Sequence, residues 1–555
     1  MILDNWRYKD SIRQFNIHSR KDRKETLKNV DFDLLIIGGG STGSGIALDA
    51  ASRGLKVALV EAKDFASETS SKSTKLLHGG IRYLDKAIST LSFGQLKLVI
   101  EALKERANII KIAPYLTSSI KIMIPLYKKY LILYYWILLK LYDLLSGSKS
   151  LGSSKFINAQ ETSINFGGLK KSNLAGSITY YDGRMDDARL NVMIIVTASF
   201  YSATVMNYMK LDRFEIKCGK VVSAICIDQL SGEKIEIKSK VFINATGPFA
   251  DSVKEDKSDK SVMMIHSSGT HIVLEPKYGP LEMGLVDRNT VDNRILFIIP
   301  WKDKVVVGAT DIKINFNKPI KPTQSDIDFL KNEVEKYYCK KIDNNDILSV
   351  WTGVRPLIKD NIAQPTEQII RKYKLLDKKT NLIIITGGKW TTYRIMAEKT
   401  VDLAIKNYNL EPKYSCVTKD LQILGSKTYS KDLFYKIATD LEISIEYAKH
   451  LLNLYGDRAF NIKKYLKEHE NQLSQKYLFK DAEVFYVIEN EYAITVGDIV
   501  NNRFRLGYYD VKEAFIVGKK ILILLKTYYN WNKNRLKNEK RKFVKELKEL
   551  GFGLL

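Results

Sequence analysis

From residue 33 to about residue 405, short apolar runs alternate with amphipathic stretches. That alternation predicts strands and helices taken in turn, the pattern of an α/β domain. The strand candidates are 34–37, 57–60, 241–244, 296–299, 305–307 and 382–385. After Tyr414 the pattern changes. Residues 444–454, 482–492 and 511–528 repeat apolar positions at helical spacing, which predicts a smaller helical domain. The expected division is an N-terminal extension over 1–30, an α/β unit over 31–405 and a helical domain over 415–555. The last segment, 533–550, mixes basic residues with Glu and reads as a solvated terminal helix.

Residues 130–139 (YLILYYWILL) stand apart, an unbroken apolar and aromatic run bracketed by Lys128, Lys129 and Lys140. A spanning helix needs about twenty such residues, so this one is too short to cross a bilayer. Two readings stand. Tyr134, Tyr135, Trp136 and the lysines suit a segment lying in the plane of lipid headgroups; the other reading is an internal helix buried on all sides.

The strand at 34–37 runs straight into Gly38-Gly39-Gly40-Ser41-Thr42-Gly43, a G-x-G-x-x-G match. Gly38 permits the tight turn, Gly40 lets the backbone approach a pyrophosphate, and Gly43 allows close helix–strand packing. The pyrophosphate would sit at the positive end of a helix starting near Ser41. The second strand ends in Glu61, placed to accept from adenosine ribose hydroxyls. This is the ADP-binding half of a dinucleotide site. No second G-x-G-x-x-G appears, so the choice lies between a simple NAD dehydrogenase and a flavoenzyme reduced by its own substrate. Two later strand ends favour FAD. Residues 241–244 meet Ala245-Thr246-Gly247-Pro248, a small-residue turn that can pass close to the adenine half. Residues 382–385 meet Gly387-Gly388-Lys389-Trp390-Thr391-Thr392, opening a helix over 391–405. Gly388, Lys389 and Thr391 would bring a positive helix end and a Lys to the flavin N1/C2 edge, stabilising the anionic reduced ring. For each turn alone, an ordinary strand–helix connection is the plainer reading.

Charge narrows the partners. Lys and Arg number 88 against 63 Asp and Glu, a formal net charge of +25. That excess favours a phosphorylated substrate, an acidic membrane surface or nucleic acid, although lysines spread along the whole chain also fit a solvated surface. Cys218, Cys226, Cys339 and Cys416 show neither C-x-x-C spacing nor His neighbours at zinc-ligand intervals, so a reduced compartment and no metal site are expected. The first thirty residues mix Arg7, Arg13, Arg20 and Lys21 with Asp4, Asp10, Asp22 and Glu25. They have neither the apolar stretch of a secretory signal nor the scarcity of acids of a mitochondrial presequence.

Longer motifs carry a family resemblance. The stretch Ser70-Ser71-Lys72-Ser73-Thr74-Lys75-Leu76-Leu77-His78-Gly79-Gly80-Ile81-Arg82-Tyr83-Leu84 resembles the flavin-contacting signature of FAD-dependent glycerol-3-phosphate dehydrogenases. So do Tyr181-Asp182-Gly183-Arg184-Met185-Asp186-Asp187-Ala188-Arg189, Gly353-Val354-Arg355-Pro356-Leu357, and residues 387–394. Tyr134-Tyr135-Trp136 with Leu141-Tyr142-Asp143, residues 244–249, and Tyr492-Ala493-Ile494-Thr495 are similar to the mitochondrial branch. The resemblance runs from about residue 32 to residues 530–531. Animal members carry a C-terminal calcium-binding extension; no D-x-[DN]-x-[DN]-G loop occurs here, and Asp343-Asn344-Asn345-Asp346 lacks the Gly.

The resemblance implies an α/β fold with a Rossmann-like FAD-binding domain interleaved with a mixed-sheet substrate domain, plus the C-terminal α-helical domain. It implies oxidation of sn-glycerol 3-phosphate to dihydroxyacetone phosphate, with hydride passing from C2 to flavin N5 and electrons going on to a ubiquinone-type acceptor. A related branch instead uses oxygen and releases hydrogen peroxide. It further implies a peripheral membrane position on the inner membrane of a mitochondrion or related organelle, and a homodimer is one assembly open to it. Ser70, Ser73, Thr74, Lys75, Leu76, His78, Gly79 and Gly80 would contact the cofactor. Arg82 and Arg355 would grip the phosphate with guanidinium forks. His271 matches a substrate-site His of the family and is the first candidate for general base, with His78 the alternative. Lys389 and Arg355 would stabilise developing charge, and Tyr83 and Thr392 would orient the substrate. Two rivals compete. An amine- or amino-acid-oxidising flavoprotein needs one Arg for a carboxylate, whereas several cations favour phosphate. A nucleic-acid-binding protein needs basic patches interleaved with aromatics, which the C-terminal basic stretch lacks apart from Trp531 and Phe543.

Overall fold

Residues Phe32–Ile37 form a strand with parallel neighbours on both sides, Lys234–Asn244 and Val57–Val60. Both faces of this strand are covered from Leu34 on, which is why its sequence there is a continuous apolar run rather than an alternation. Leu34 and Ile36 meet Ile46, Leu190, Met193 and Met396 on one side. Leu35 and Ile37 meet Leu27, Phe242 and Met206 on the other. The parallel sheet extends through Leu382–Gly387 at one end and Thr204–Met206 at the other, and Tyr373–Asp377 closes the first end antiparallel. Helices Ser41–Ser52, Asp187–Phe200 and Tyr393–Tyr408 supply the first covering layer. The computed structural model describes residues 17–166, 168–254, 262–288, 290–291, 294–316, 320–359 and 371–553. The charge pattern read at Asp4, Arg7, Asp10 and Arg13 lies outside these residues.

A second, mixed sheet of ten strands is interleaved with the first along the chain. Its order is Ile312–Lys313, Met264–Leu274, Lys304–Gly308, Leu296–Trp301, Met283–Asp287, Thr117–Leu126, Gly176–Met185 and Leu76–Leu77. Ile347–Ile358 lies along Met264–Leu274 in a long antiparallel pair, with Gly269 opposite Gly353 and Ser267 opposite Arg355. That pairing brings two sequence motifs more than eighty residues apart onto one ladder.

The C-terminal region is helical, with Ile445–Tyr455, Asp481–Asn490, Val511–Tyr528 and Lys533–Glu549 among its elements. The second of the helical readings, 482–492, stops two residues early because Tyr492 takes a left-handed φ of 62°. This region interlocks with the α/β part through buried ion pairs. Arg503 grips both oxygens of Asp64 at 2.7 and 3.0 Å, and Arg505 reaches Asp187 at 2.8 Å and the Ser71 carbonyl at 2.9 Å. Arg189 and Glu491 form a further fully buried pair. The segment carrying the flavin-like signature is therefore buttressed from behind by residues more than four hundred positions away.

Residues 130–139 fall within the helix Lys129–Ser146. Leu138, Leu139 and Tyr142 are buried on its inner side, whereas Tyr130, Leu133, Ile137 and Leu144 are 55–75% exposed. This helix is bare along one face, so the reading of a helix buried on all sides does not apply. No helix among the described residues is long and apolar enough to cross a membrane.

Candidate active site

The glycine loop shows why each small residue is needed. Gly38 has φ 109°, a conformation open to glycine, and a Cβ there would sit 2.6 Å from the Ala245 carbonyl oxygen. A Cβ on Gly43 would sit 1.9 Å from the Gly38 carbonyl oxygen. The helix Ser41–Ser52 then starts with Gly40 as a cap that has no side chain, and no acid lies in its first turn. Ser70 Oγ accepts from the Ser41 N–H at 2.9 Å. The rest of the helix's positive end lacks a side-chain cap, which fits a bound pyrophosphate. Glu61 accepts from the Gly39 and Lys63 N–H groups at 2.7 and 2.9 Å. Burial raises its pKa, and those two donors oppose the rise. Asn191 anchors the loop from behind by donating to the Gly39 carbonyl at 2.9 Å. Ala245 and Gly247 follow the strand Lys234–Asn244 directly across from Gly38, the Ala245 N–H donating to the Ile37 carbonyl at 2.9 Å. A crowded backbone cradle of this kind fits the ADP half of FAD.

Beyond the cradle lies a cavity of about 250 Å³. The structure brings to its wall Ser73, Thr74, Leu76, His78, Arg82, Tyr83, His271, Arg355, Gly388, Lys389 and Thr391, all of them sequence candidates. Gly79 and Gly80 are not part of this wall, and the side chains of two further candidates lie elsewhere. The Lys75 ammonium is buried on Asp187 at 2.8 Å and on the Ser71 carbonyl at 2.7 Å, inside a cage of Trp301, Trp351 and Tyr508 rings. Thr392 Oγ1 donates to the Lys389 carbonyl at 3.2 Å and is turned into the helix start. The helix itself begins at Tyr393, after a short 3₁₀ turn over Trp390–Thr392 that brings Trp390 Nε1 to the Ser70 carbonyl at 2.9 Å.

The pocket is strongly cationic. Arg294 and Arg371 join Arg82, Arg355 and Lys389 in its lining. Sequence reasoning passed over these two, since each is a single basic residue outside any motif in a Lys-rich chain. Arg355 donates to the Ser268 carbonyl at 3.1 Å and stands 3.4 Å from Asp311. Burial pulls its pKa down to about 10, Asp311 opposing and Arg371 and Arg294 reinforcing the fall. Gly269 makes room for it: a Cβ there would lie 2.3 Å from Arg355 Nη2. Lys389 lies 3.9 Å over the Tyr83 ring. Burial, followed by Arg371, brings its pKa down to about 7, with Arg82 adding to the fall. Cations of this density around one cavity favour an anionic ligand.

The two histidines differ. His271 lies flat against Trp351 with centroids 5.2 Å apart, and its Nε2 is 2.9 Å from Thr74 Oγ1. Burial, then Lys75 and Arg355, holds its pKa well below 6.5, so its ring is neutral at physiological pH. His78 is oriented by a carboxylate, with Nδ1 2.6 Å from Asp182 Oδ2. Asp182 is fully buried and also accepts from Arg106 at 2.8 Å and from the Gly79 N–H at 3.0 Å. Burial would raise the Asp182 pKa, but His78 and Arg106 outweigh it and keep the group below the usual range. Asp182 lies inside a recognised stretch, yet only the fold shows that it serves His78.

A testable pH dependence follows from Lys389. With a free-enzyme pKa of about 7, its charge is present below that pH and lost above it. We expect kcat/KM for a phosphorylated substrate to fall as pH rises through about 7, and Lys389→Met to be lower overall and free of that limb. A wild-type profile flat from pH 6 to 9 would exclude this role.

The chain matches the family model described as FAD dependent oxidoreductase over residues 33–403. Residues 416–536 match the C-terminal domain of alpha-glycerophosphate oxidase. It is 45% identical to a probable glycerol-3-phosphate dehydrogenase of Encephalitozoon cuniculi, over 97% of this chain and 88% of that protein. To the mitochondrial glycerol-3-phosphate dehydrogenase of Bos taurus it is 41% identical, over 95% of this chain and 75% of the relative. Among solved structures, the glycerol-3-phosphate dehydrogenase from Bacillus halodurans complexed with FAD is similar, with TM-score 0.78 and 27% identity over 96% of this chain and 97% of that one.

Proposed function

The chain belongs to the FAD-dependent glycerol-3-phosphate dehydrogenase family, and on that premise we propose that it oxidises sn-glycerol 3-phosphate to dihydroxyacetone phosphate and delivers the electrons to a membrane quinone. It is an FAD-dependent oxidoreductase. The observation that carries the substrate is the cationic pocket, in which Arg82, Arg355 and Lys389 converge with Arg294 and Arg371 beside two histidines. A phosphate dianion suits a wall of several cations, whereas a carboxylate needs only one guanidinium.

FAD, when bound, supplies the two-electron acceptor for the C2 hydride. The protein's own groups do the rest. The guanidinium forks and Lys389 hold the phosphate and orient C2. Arg355 stabilises charge developing on the C2 oxygen. For the hydroxyl proton, the geometry favours His78 over His271. Asp182 takes His78 Nδ1 and leaves Nε2 as the proton acceptor, with a buried anion to stabilise the imidazolium. His271 sits among cations that disfavour its protonation, which suits a neutral group orienting the substrate.

The test is direct. The purified yellow protein should bleach under anaerobic conditions when sn-glycerol 3-phosphate is added, and recover its colour with a short-chain ubiquinone. His78→Asn should keep the flavin and slow bleaching by about 10²–10⁴-fold. No bleaching would overturn the substrate assignment. Recovery with oxygen as fast as with quinone, with hydrogen peroxide released, would make it an oxidase.

Quinone delivery implies a lipid surface, which we place at the inner membrane of a mitochondrion or related organelle with the chain peripheral to it; the mitochondrial relatives support the organelle. The bare face of Lys129–Ser146 is suited to it. Leu91 and Phe93, 85% and 86% exposed, lie at the turn between the helices Ile81–Ser89 and Phe93–Ile112, both packed against that helix, and enlarge the apolar surface. Leu133→Ser with Ile137→Ser should reduce co-sedimentation with anionic vesicles at least tenfold and leave bleaching intact. Unchanged co-sedimentation would remove this helix from the contact.

A further inference from the structure

A second cavity, of about 570 Å³, opens where the N-terminal helix Arg20–Asn29 meets the C-terminal helical region, and it shares no lining residue with the reaction pocket. Its size is that of a small-molecule site. Three chemical components meet in its wall. The first is aromatic: Tyr528, Tyr529 and Trp531, of which Tyr529 and Trp531 lie nearly parallel at 12° with centroids 5.7 Å apart. The second is the Glu489 carboxylate, which accepts from Lys464 at 3.2 Å and from the Tyr465 hydroxyl at 2.7 Å.

The third is Arg23. Its side chain is only 8% exposed, and no carboxylate pairs with it among the described residues. Nε donates to the His18 carbonyl at 3.1 Å and Nη1 to the Val205 carbonyl at 2.8 Å, and the guanidinium lies 4.6 Å over the Tyr492 ring. The other cations of the wall are already compensated: Arg20 by Asp228, Lys464 by Glu489 and Arg535 by Glu539. Burial lowers the Arg23 pKa to about 10, which leaves it charged at neutral pH. A buried guanidinium without a counter-ion is a costly arrangement for structure alone. An anion entering the cavity would supply the missing charge.

We propose that this cavity binds a nucleoside monophosphate. The base stacks on the Tyr529–Trp531 pair, the sugar diol donates to Glu489, and the phosphate meets Arg23. Stacking on aromatic faces tolerates any base, and a carboxylate accepting from a ribose diol is the same device expected of Glu61 in the dinucleotide loop. The site is independent of the reaction assigned above.

Isothermal titration of the FAD-loaded protein with AMP, adenosine and orthophosphate separates the components. AMP should bind, with adenosine and orthophosphate each at least tenfold weaker. Arg23→Gln and Trp531→Leu should each weaken AMP at least tenfold without changing kcat/KM for sn-glycerol 3-phosphate, and Arg355→Ala should leave AMP affinity unchanged. If Arg23→Gln fails to fold, Trp531→Leu decides, because Trp531 is half-exposed. The proposal is overturned if AMP does not bind at millimolar concentration, or if Trp531→Leu binds it as wild type does. Loss of AMP binding in Arg355→Ala would put the nucleotide in the reaction pocket. Binding that appears only after removal of residues 1–16 would make that segment the occupant.

Discussion

Arg355→Ala should lower kcat/KM for sn-glycerol 3-phosphate by about 10³-fold, which is about 4 kcal/mol of transition-state stabilisation, while the flavin absorbance is retained. The side chain stands on the long strand Ile347–Ile358, held by the Ser268 carbonyl and Asp311 and given space by Gly269. Its pKa of about 10 keeps it cationic throughout the working range. Truncation removes both a fork for the phosphorylated substrate and a fixed positive charge beside the C2 oxygen, in a site where burial magnifies each. Arg355→Lys should recover only part of the loss, because an ammonium restores the charge and not the planar pair of donors. Steady-state kinetics beside a visible spectrum is the measurement, and unchanged kcat/KM would take Arg355 out of the site.

Gly43→Ala should give a folded but colourless protein. The new methyl would lie 1.9 Å from the Gly38 carbonyl oxygen, and this neighbour is backbone, which has no rotamer to yield. The helix Ser41–Ser52 would have to shift away from the loop that cradles the pyrophosphate, so its positive end could no longer meet the cofactor. The ratio of flavin to protein absorbance should fall at least tenfold, with far-ultraviolet circular dichroism near wild type. Gly94→Ala is the control: its Cβ would meet only Ser92 Oγ at 4.0 Å, and it should keep full flavin content. Normal flavin retention in Gly43→Ala would mean that the loop relaxes without cost and that the tight packing is not what holds the cofactor.

Much of this was legible along the chain, and for a local reason. Strands such as Phe32–Ile37 and Leu382–Gly387 announce themselves because burial on both faces of a parallel sheet demands an uninterrupted apolar run. The glycine loop is partly local: Gly38 needs its left-handed φ and Gly43 answers to the Gly38 carbonyl five residues back, although Gly38 and Gly40 also meet the distant Ala245 and Ser70. Helix ends were less legible. The 3₁₀ turn over Trp390–Thr392 depends on Trp390 reaching the distant Ser70 carbonyl, which no local pattern encodes.

What the sequence by itself determined, then, is the cofactor cradle, the alternation of the α/β part, the helical C-terminus and the motifs carrying Arg82, His78, Arg355 and Lys389. Only the tertiary structure decided how those motifs meet. The register of Met264–Leu274 on Ile347–Ile358 sets Arg355 beside Gly269. The burial of Asp182 gives His78 its partner, and the packing of Arg371 and Arg294 completes the cationic wall. The Lys75 ammonium anchors the signature segment to Asp187 beside Arg505. The bare face of Lys129–Ser146 also emerges only when the rest of the chain has covered the other side. The physical reason is the same throughout. Local patterns are set by backbone geometry and near neighbours, whereas charge compensation, desolvation and strand register depend on residues brought together from far along the chain.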